Sequence, residues 1–478
     1  MTQFIGSKRQ RAFGEYLTPT TLLQEYILPE ITPLLTKYIW VDLFAGEGNL
    51  ILPLLELFPL PERKDFFEKH IFLYDIQPEM VEKSIQRAIK MGIPEALARQ
   101  NIKCQDTLAN YPIEIFKSHL PVFHITNPPY LYIGYIVKHL DTHYYLEYFK
   151  GDNEGYQDLY QIALMNDLRH NIPRMVYIIP TNFLFGFSNS NKIRDDFLKF
   201  YRIEKAVIFE KELFKHTGVH VAICFFNRKE FPAIEVQEFE GLKINYTVQK
   251  RFYRLLPKLH YRAGTEFEEF TARFRAPNPL KVKYYLNLFT LENHKGSYSL
   301  RLVNANKYAS NKYHKFIAQV SEELYRLVKA NPLFLRTLDT GNHSGRAGLY
   351  LIPEEFNADG IVVTKSPYRT HPIQVFLEPS LPHEDILLLK DYFNLLLEHF
   401  RKLTDSEFMT TYKYSNSKYT RKYLGLTQAK ALIETFPYKN ISEAQREELR
   451  ELVRSKDTNG ILRFLESIRT GGRLNYGA

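Results

Sequence analysis

Residues 38–43, Tyr-Ile-Trp-Val-Asp-Leu, form a short apolar run that ends at the turn Phe44-Ala45-Gly46-Glu47-Gly48-Asn49. A run this short, closed by glycines, suits a buried strand feeding a tight turn. Similar runs recur at 70–74, 102–105, 122–126, 175–179, 206–209 and 219–226. Helix is expected at 49–58, interrupted by Pro53, and at 78–91, where Pro78 suits the first turn. The alternation predicts an α/β fold built on a mixed, mostly parallel sheet with helices on both faces.

A chain of 478 residues exceeds one compact core. Beyond about residue 241 the sequence is rich in Tyr, Lys and Arg and has no further glycine-loop unit. The expected division is therefore 1–240 and 241–478. Helices are expected at 384–403, 442–453 and 460–468, and Ala276-Pro277-Asn278-Pro279 reads as a turn or linker. A net charge of +9 favours an anionic partner. The two cysteines, Cys104 and Cys224, form no motif, which fits a reducing cytoplasm. With no secretory signal and no spanning apolar run, a soluble cytoplasmic protein without membrane contact is expected. The histidines form no ligand cluster; His216 and His220 are separated by glycine, so no metal is expected.

Acidic residues close three successive strand-like runs. Asp42 ends the first, Asp75 the second and Asp106 the third. Doubly wound sheets bind ligands at those carboxyl ends, where Asp75 could accept from ribose hydroxyls and Asp106 from an adenine amine. Ile51 stands where a dinucleotide loop would place its third glycine, so a nucleoside without pyrophosphate fits better.

Asn127-Pro128-Pro129-Tyr130 follows the run at 122–126. An exocyclic purine amine is a weak nucleophile because its lone pair is delocalised into the ring. Two acceptors at its hydrogens localise that pair, and the Asn127 oxygen with the Pro128 carbonyl can serve. The prolines fix φ and remove competing donors. Tyr130 offers a face for stacking on the base, worth about 1–3 kcal/mol. Methyl transfer then needs alignment and electrostatics alone.

These motifs resemble the gamma-class N6-adenine-specific DNA methyltransferases of restriction-modification systems, over about residues 13–230. The resemblance implies a Rossmann-like catalytic domain at 1–240 that uses S-adenosylmethionine, and an α+β target-recognition domain at 241–478. It implies cofactor contacts from Tyr16, Thr18, Pro19, Asp42, Phe44, Gly46, Gly48, Asp75, Ile76, Asp106, Thr107 and Asn127. Tyr156-Gln157-Asp158-Leu159-Tyr160 resembles the family's helix entry, and Ile179-Pro180-Thr181-Asn182-Phe183 its next strand end. The strand at 219–226 resembles the one whose terminal aromatic stacks on the extruded base opposite Tyr130. Phe226 is the expected residue, with Phe225 the alternative. Glu47, where relatives have a small residue, is expected to point outward.

The partner so implied is double-stranded DNA, bound by a monomer, with a separate cognate restriction endonuclease. A target base must leave the duplex, at a cost of a few kcal/mol. Phosphate contacts are expected from Lys413, Lys418, Arg421 and Lys422, interleaved with tyrosines in an acid-free stretch. Arg346, in the polar loop 341–346, is a candidate guanine reader. RNA N6-adenine methylation, glutamine-amide methylation, which uses the same tetrapeptide, and a non-catalytic DNA-binding subunit are the alternatives.

Overall fold

The computed structural model describes residues 18–211, 213, 220–245, 247–340, 345–366, 371–411, 421–439 and 441–474. The chain divides into two compact units, Met1–Ala263 and Gly264–Ala478.

The first unit is built on nine strands: β1 (Ile39–Asp42), β2 (Ile71–Asp75), β3 (Ile102–Cys104), β4 (Val122–Thr126), β5 (Arg174–Pro180), β6 (Tyr201–Phe209), β7 (Val221–Arg228), β8 (Gln237–Ile244) and β9 (Val248–Leu255). Their spatial order is β3-β2-β1-β4-β5-β7-β6-β8-β9. From β3 through β5 all neighbours are parallel. Antiparallel pairing enters with β7, which runs against both β5 and β6, and with β9 against β8. The chain order reverses between β1 and β4, so the carboxyl ends of these two strands flank a crevice. Every side chain of β1 and β4 is buried, as continuous apolar runs in a covered parallel sheet should be.

Two expectations are corrected. The boundary at 240 falls inside β8, because β8 pairs with β6 and carries β9 with it; the sheet therefore extends to residue 255. The segment at 49–58 forms only a short 3-10 helix, Leu52–Leu57, which starts beside Pro53 in its first turn. The 276–279 stretch, expected as a turn or linker, is a turn within the second unit, where Ala276 N–H donates to the Glu434 carbonyl at 2.9 Å.

The second unit is α+β. One sheet orders β10 (Lys281–Tyr284), β18 (Ile373–Glu378), β14 (Leu333–Arg336) and β16 (Gly348–Leu351). A second orders β11 (Leu286–Asn287), β17 (Gly360–Val363), β12 (Tyr298–Ala309) and β13 (Lys312–Val320). Helix His383–Thr404 buries Leu389, Tyr392, Phe393 and Leu396 in one core with Leu349 and Leu351 of β16. The Asn394 amide closes that strand's edge, accepting from Leu349 N–H at 2.9 Å and donating to its carbonyl at 2.8 Å. Helices Glu443–Arg454 and Thr458–Leu474 lie where helix was expected.

Candidate active site

At the end of β1 the chain turns through Gly46 (φ 53°) and Gly48 (φ 74°), left-handed conformations that favour glycine. A Cβ on Gly48 would stand 2.6 Å from Leu52 Cδ1, so a larger residue there would also have to displace that side chain. Gly46 N–H donates to Asp75 at 2.8 Å, and the Gln77 N–H donates to the other carboxylate oxygen at 2.9 Å. Burial raises the Asp75 pKa against the pull of these bonds. Glu47 leaves the loop outward and pairs with Lys83 at 2.9 Å, as expected.

Asp42 is buried and accepts the Thr126 hydroxyl at 2.6 Å and Phe44 N–H at 3.0 Å. Burial lifts its pKa to about 6, with the negative Asp75 adding to the rise. Asp106 accepts Leu108 and Ala109 N–H, each at 3.2 Å, and the Tyr148 hydroxyl at 2.7 Å. The buried Thr107 hydroxyl donates to the Leu43 carbonyl at 2.8 Å, holding the β3 end against the glycine turn. Ile76, directly after Asp75, leaves 53 % of its apolar side chain exposed. A side-chain-free turn, a carboxylate with lone pairs to spare and an uncovered apolar surface together fit a nucleoside cofactor.

Thr18 joins this loop to the tetrapeptide. Asn127 Nδ2 donates to the Thr18 hydroxyl at 3.0 Å, while Asn49 Nδ2 donates to the Thr18 carbonyl at 2.9 Å. Pro19 follows, half-buried, and Tyr16 lies outside the described residues. With its nitrogen engaged, Asn127 has Oδ1 as its acceptor. Pro128 is buried and Pro129 half-buried. The Tyr130 hydroxyl lies between Asn127 Oδ1 and the Ile178 carbonyl, 2.6 Å from the latter. Its ring is only 4 % exposed and meets Tyr160 edge-on, so a base reaches that face only after the covering residues move. Downstream, Asp158 accepts Leu131 N–H at 2.8 Å, and Ile133 N–H donates to the Gln157 carbonyl at 2.9 Å. The helix entry at 156–160 thus fixes the residues that leave the tetrapeptide.

A buried network behind the site escaped the sequence reading. Leu43 N–H donates to His124 Nε2 at 3.2 Å, and His124 Nδ1 lies 2.5 Å from the Asp167 carboxylate. The hydroxyls of Tyr177 (2.6 Å) and Tyr111 (2.8 Å) donate to the same carboxylate. For Nε2 to accept, the ring proton must sit on Nδ1 and face Asp167. The only signal was a histidine between Phe123 and Ile125 in an otherwise apolar strand.

The expectation for Phe226 fails. β7 runs antiparallel to β5, with Phe226 opposite Met175 and Phe225 opposite Val176, whereas the tetrapeptide lies beside the other end of β5. Phe226 is buried edge-on to Phe183 and Phe197 as a core residue.

In the second unit Arg421 is exposed, but Lys422 is buried in β20 (Lys422–Tyr423) and donates to the Asp405 carbonyl at 3.0 Å. Burial and this bond leave its ammonium little surface to offer a phosphate. Arg346 is drawn toward Asp339 (3.5 Å) and Glu398 (3.9 Å), acids it would have to leave to read a base. Lys413, Lys418 and loop residues 341–344 lie outside the described residues. No helix among the described residues is long and apolar enough to cross a membrane.

Compared with known proteins, residues 4–253 match the family described as N-6 DNA Methylase. Among solved structures, the chain is similar to the EcoKI M protein of a type I restriction enzyme, at 14 % identity and TM-score 0.36, over 67 % of this chain and 66 % of that one. It is similar to a type I restriction-modification methyltransferase subunit from Streptococcus thermophilus at 15 % identity and TM-score 0.32, over 49 % of each chain. The type IIG restriction endonuclease BpuSI is matched at 12 % identity and TM-score 0.39, over 93 % of this chain and 62 % of that one. The chain spans 57 %, 31 % and 47 % of the first three solved structures it matches. No curated protein matches it.

Proposed function

Because the chain belongs to the N-6 DNA methylase family, we propose that it methylates N6 of an adenine turned out of double-stranded DNA, as the modification enzyme of a restriction-modification system. S-adenosylmethionine, the family's methyl donor, supplies an electrophilic methyl group. Asp75 and Asp42, the turn through Gly46 and Gly48, Phe44, Ile76, Asp106 and Thr107 would hold it, together with Thr18 and Pro19. The Asn127 oxygen and the Pro128 carbonyl accept the two amine hydrogens, drawing the nitrogen lone pair out of the purine ring. The prolines keep that carbonyl in place, and Tyr130 covers the base once its ring is uncovered. No group on the protein forms a covalent bond to substrate.

One observation carries this reading: the Asn127–Thr18–Asn49 bridge, which ties the amine acceptor to the cofactor loop. DNA as substrate follows from the family, and a separate nuclease partner and monomeric action on DNA belong to the same proposal.

Labelled S-adenosylmethionine should transfer its methyl to unmethylated bacterial DNA, digesting to N6-methyladenine. Asn127→Ala should lower that turnover by about 10²–10³. Label in RNA or in a protein substrate, with none in DNA, would sink the assignment and keep the chemistry.

A further inference from the structure

β12 and β13 form a long antiparallel ribbon closed by a tight turn, in which Ser310 (φ 49°) and Asn311 (φ 60°) are both left-handed. From 293 to 321 the chain has no Asp or Glu but carries Lys295, Arg301, Lys307, Lys312 and Lys315. Lys307, Lys312 and Lys315 are exposed at the free end of the ribbon. A fourth lysine is fastened beside them. Asn306 Oδ1 accepts the N–H groups of Thr364 (2.9 Å) and Lys365 (3.1 Å), and its Nδ2 donates to the Ser366 carbonyl at 3.1 Å.

Several other exposed cations in this unit are drawn to acids: Lys281 to Glu378, Arg326 to Glu322, Lys329 to Asp359, Arg454 to Glu451. Lys307, Lys312, Lys315 and Lys365 have no ion-pair partner among the described residues. Tyr308 and Tyr313 pair across the strands at 4.6 Å between ring centroids, with Tyr308 58 % exposed, stiffening the ribbon between the lysines.

We propose that this hairpin is a DNA-backbone contact surface, its four lysines meeting phosphates of the substrate duplex. The proposal rests on the DNA reading above. Two-stranded ribbons fit the grooves of B-DNA, and unpaired lysines lose no acid partner when they neutralise a phosphate. Lysines on an edge strand can instead serve only to stop that strand pairing with another chain, and the test separates the two.

The full chain carrying Lys→Gln at 307, 312, 315 and 365 is compared with wild type and with the four Lys→Arg changes. Expected for the Gln variant is a rise of about tenfold or more in KM for DNA at ~0.15 M salt, with kcat and cofactor binding held. The slope of log affinity against log salt should fall by about 3.6, since each phosphate contact contributes about 0.9. The Arg variant should keep the wild-type slope. An unchanged KM and slope in the Gln variant overturns the proposal, including where that variant self-associates without DNA, the mark of lost edge protection. Wild type that labels no DNA at all fails the functional reading itself.

Discussion

Asp42 is a buried carboxylate whose proton is held more tightly in the folded chain than in the unfolded one. Its pKa stands near 6 against an ordinary 3.8, so the folded state gains most at low pH. That gain is complete below the unfolded value and is lost as pH rises from about 4 to about 6, amounting to about 3 kcal/mol. Thermal midpoints of the cofactor-free protein should therefore fall across that window, and Asp42→Asn should flatten the fall. An unchanged slope in the variant would remove Asp42 as its source. Residues like Asp42 and Asp75 were legible because an acid ending an apolar run has few structural uses. Phe226 was misread because composition identifies a strand without giving its direction. An antiparallel β7 carries its terminal aromatic away from the tetrapeptide. Lys422 was misread because an acid-free basic stretch does not show which lysine a short strand buries.

Among elements, one buried side chain ties together several points of the segment after β5. Arg194 is fully buried and donates to the carbonyls of His260 (2.6 Å), Phe183 (2.9 Å) and Gly186 (2.9 Å) and to Asn191 Oδ1 (2.7 Å). Desolvation lowers its pKa to about 9, outweighing the opposing pull of the nearby Asp195. Arg194→Met leaves several buried acceptors without donors and should cost about 3 kcal/mol, read as a lower denaturant midpoint at unchanged slope. A loss under about 0.5 kcal/mol would mean that water or a shifted backbone replaces the guanidinium. Central strands announced themselves in the sequence because burial on both faces leaves uninterrupted apolar runs. β8 alternates and β9 is a largely exposed edge, so both were absorbed into the polar half of the chain.

At the scale of the molecule, the revised boundary has a direct test. A fragment covering 1–263 should fold cooperatively and bind S-adenosylmethionine with an affinity close to that of the full chain. One ending at 240 cuts β8, strips β9 and should be recovered mostly as aggregate. Equal behaviour of the two fragments would restore the earlier division. The first unit could be anticipated from strand ends and turns; of the second, the long helices could be anticipated, whereas its strands could not, because they carry no chemistry that marks them. Finally, Thr18 spends its hydroxyl on Asn127 and its carbonyl on Asn49, so whatever orders one side of the crevice orders the other. On the proposed function, cofactor and target base are therefore expected to be cooperative ligands, and linkage would make the effect reciprocal, each sharpening the other's binding by one and the same factor. Thr18→Val should shrink that factor toward one when it is measured from either direction.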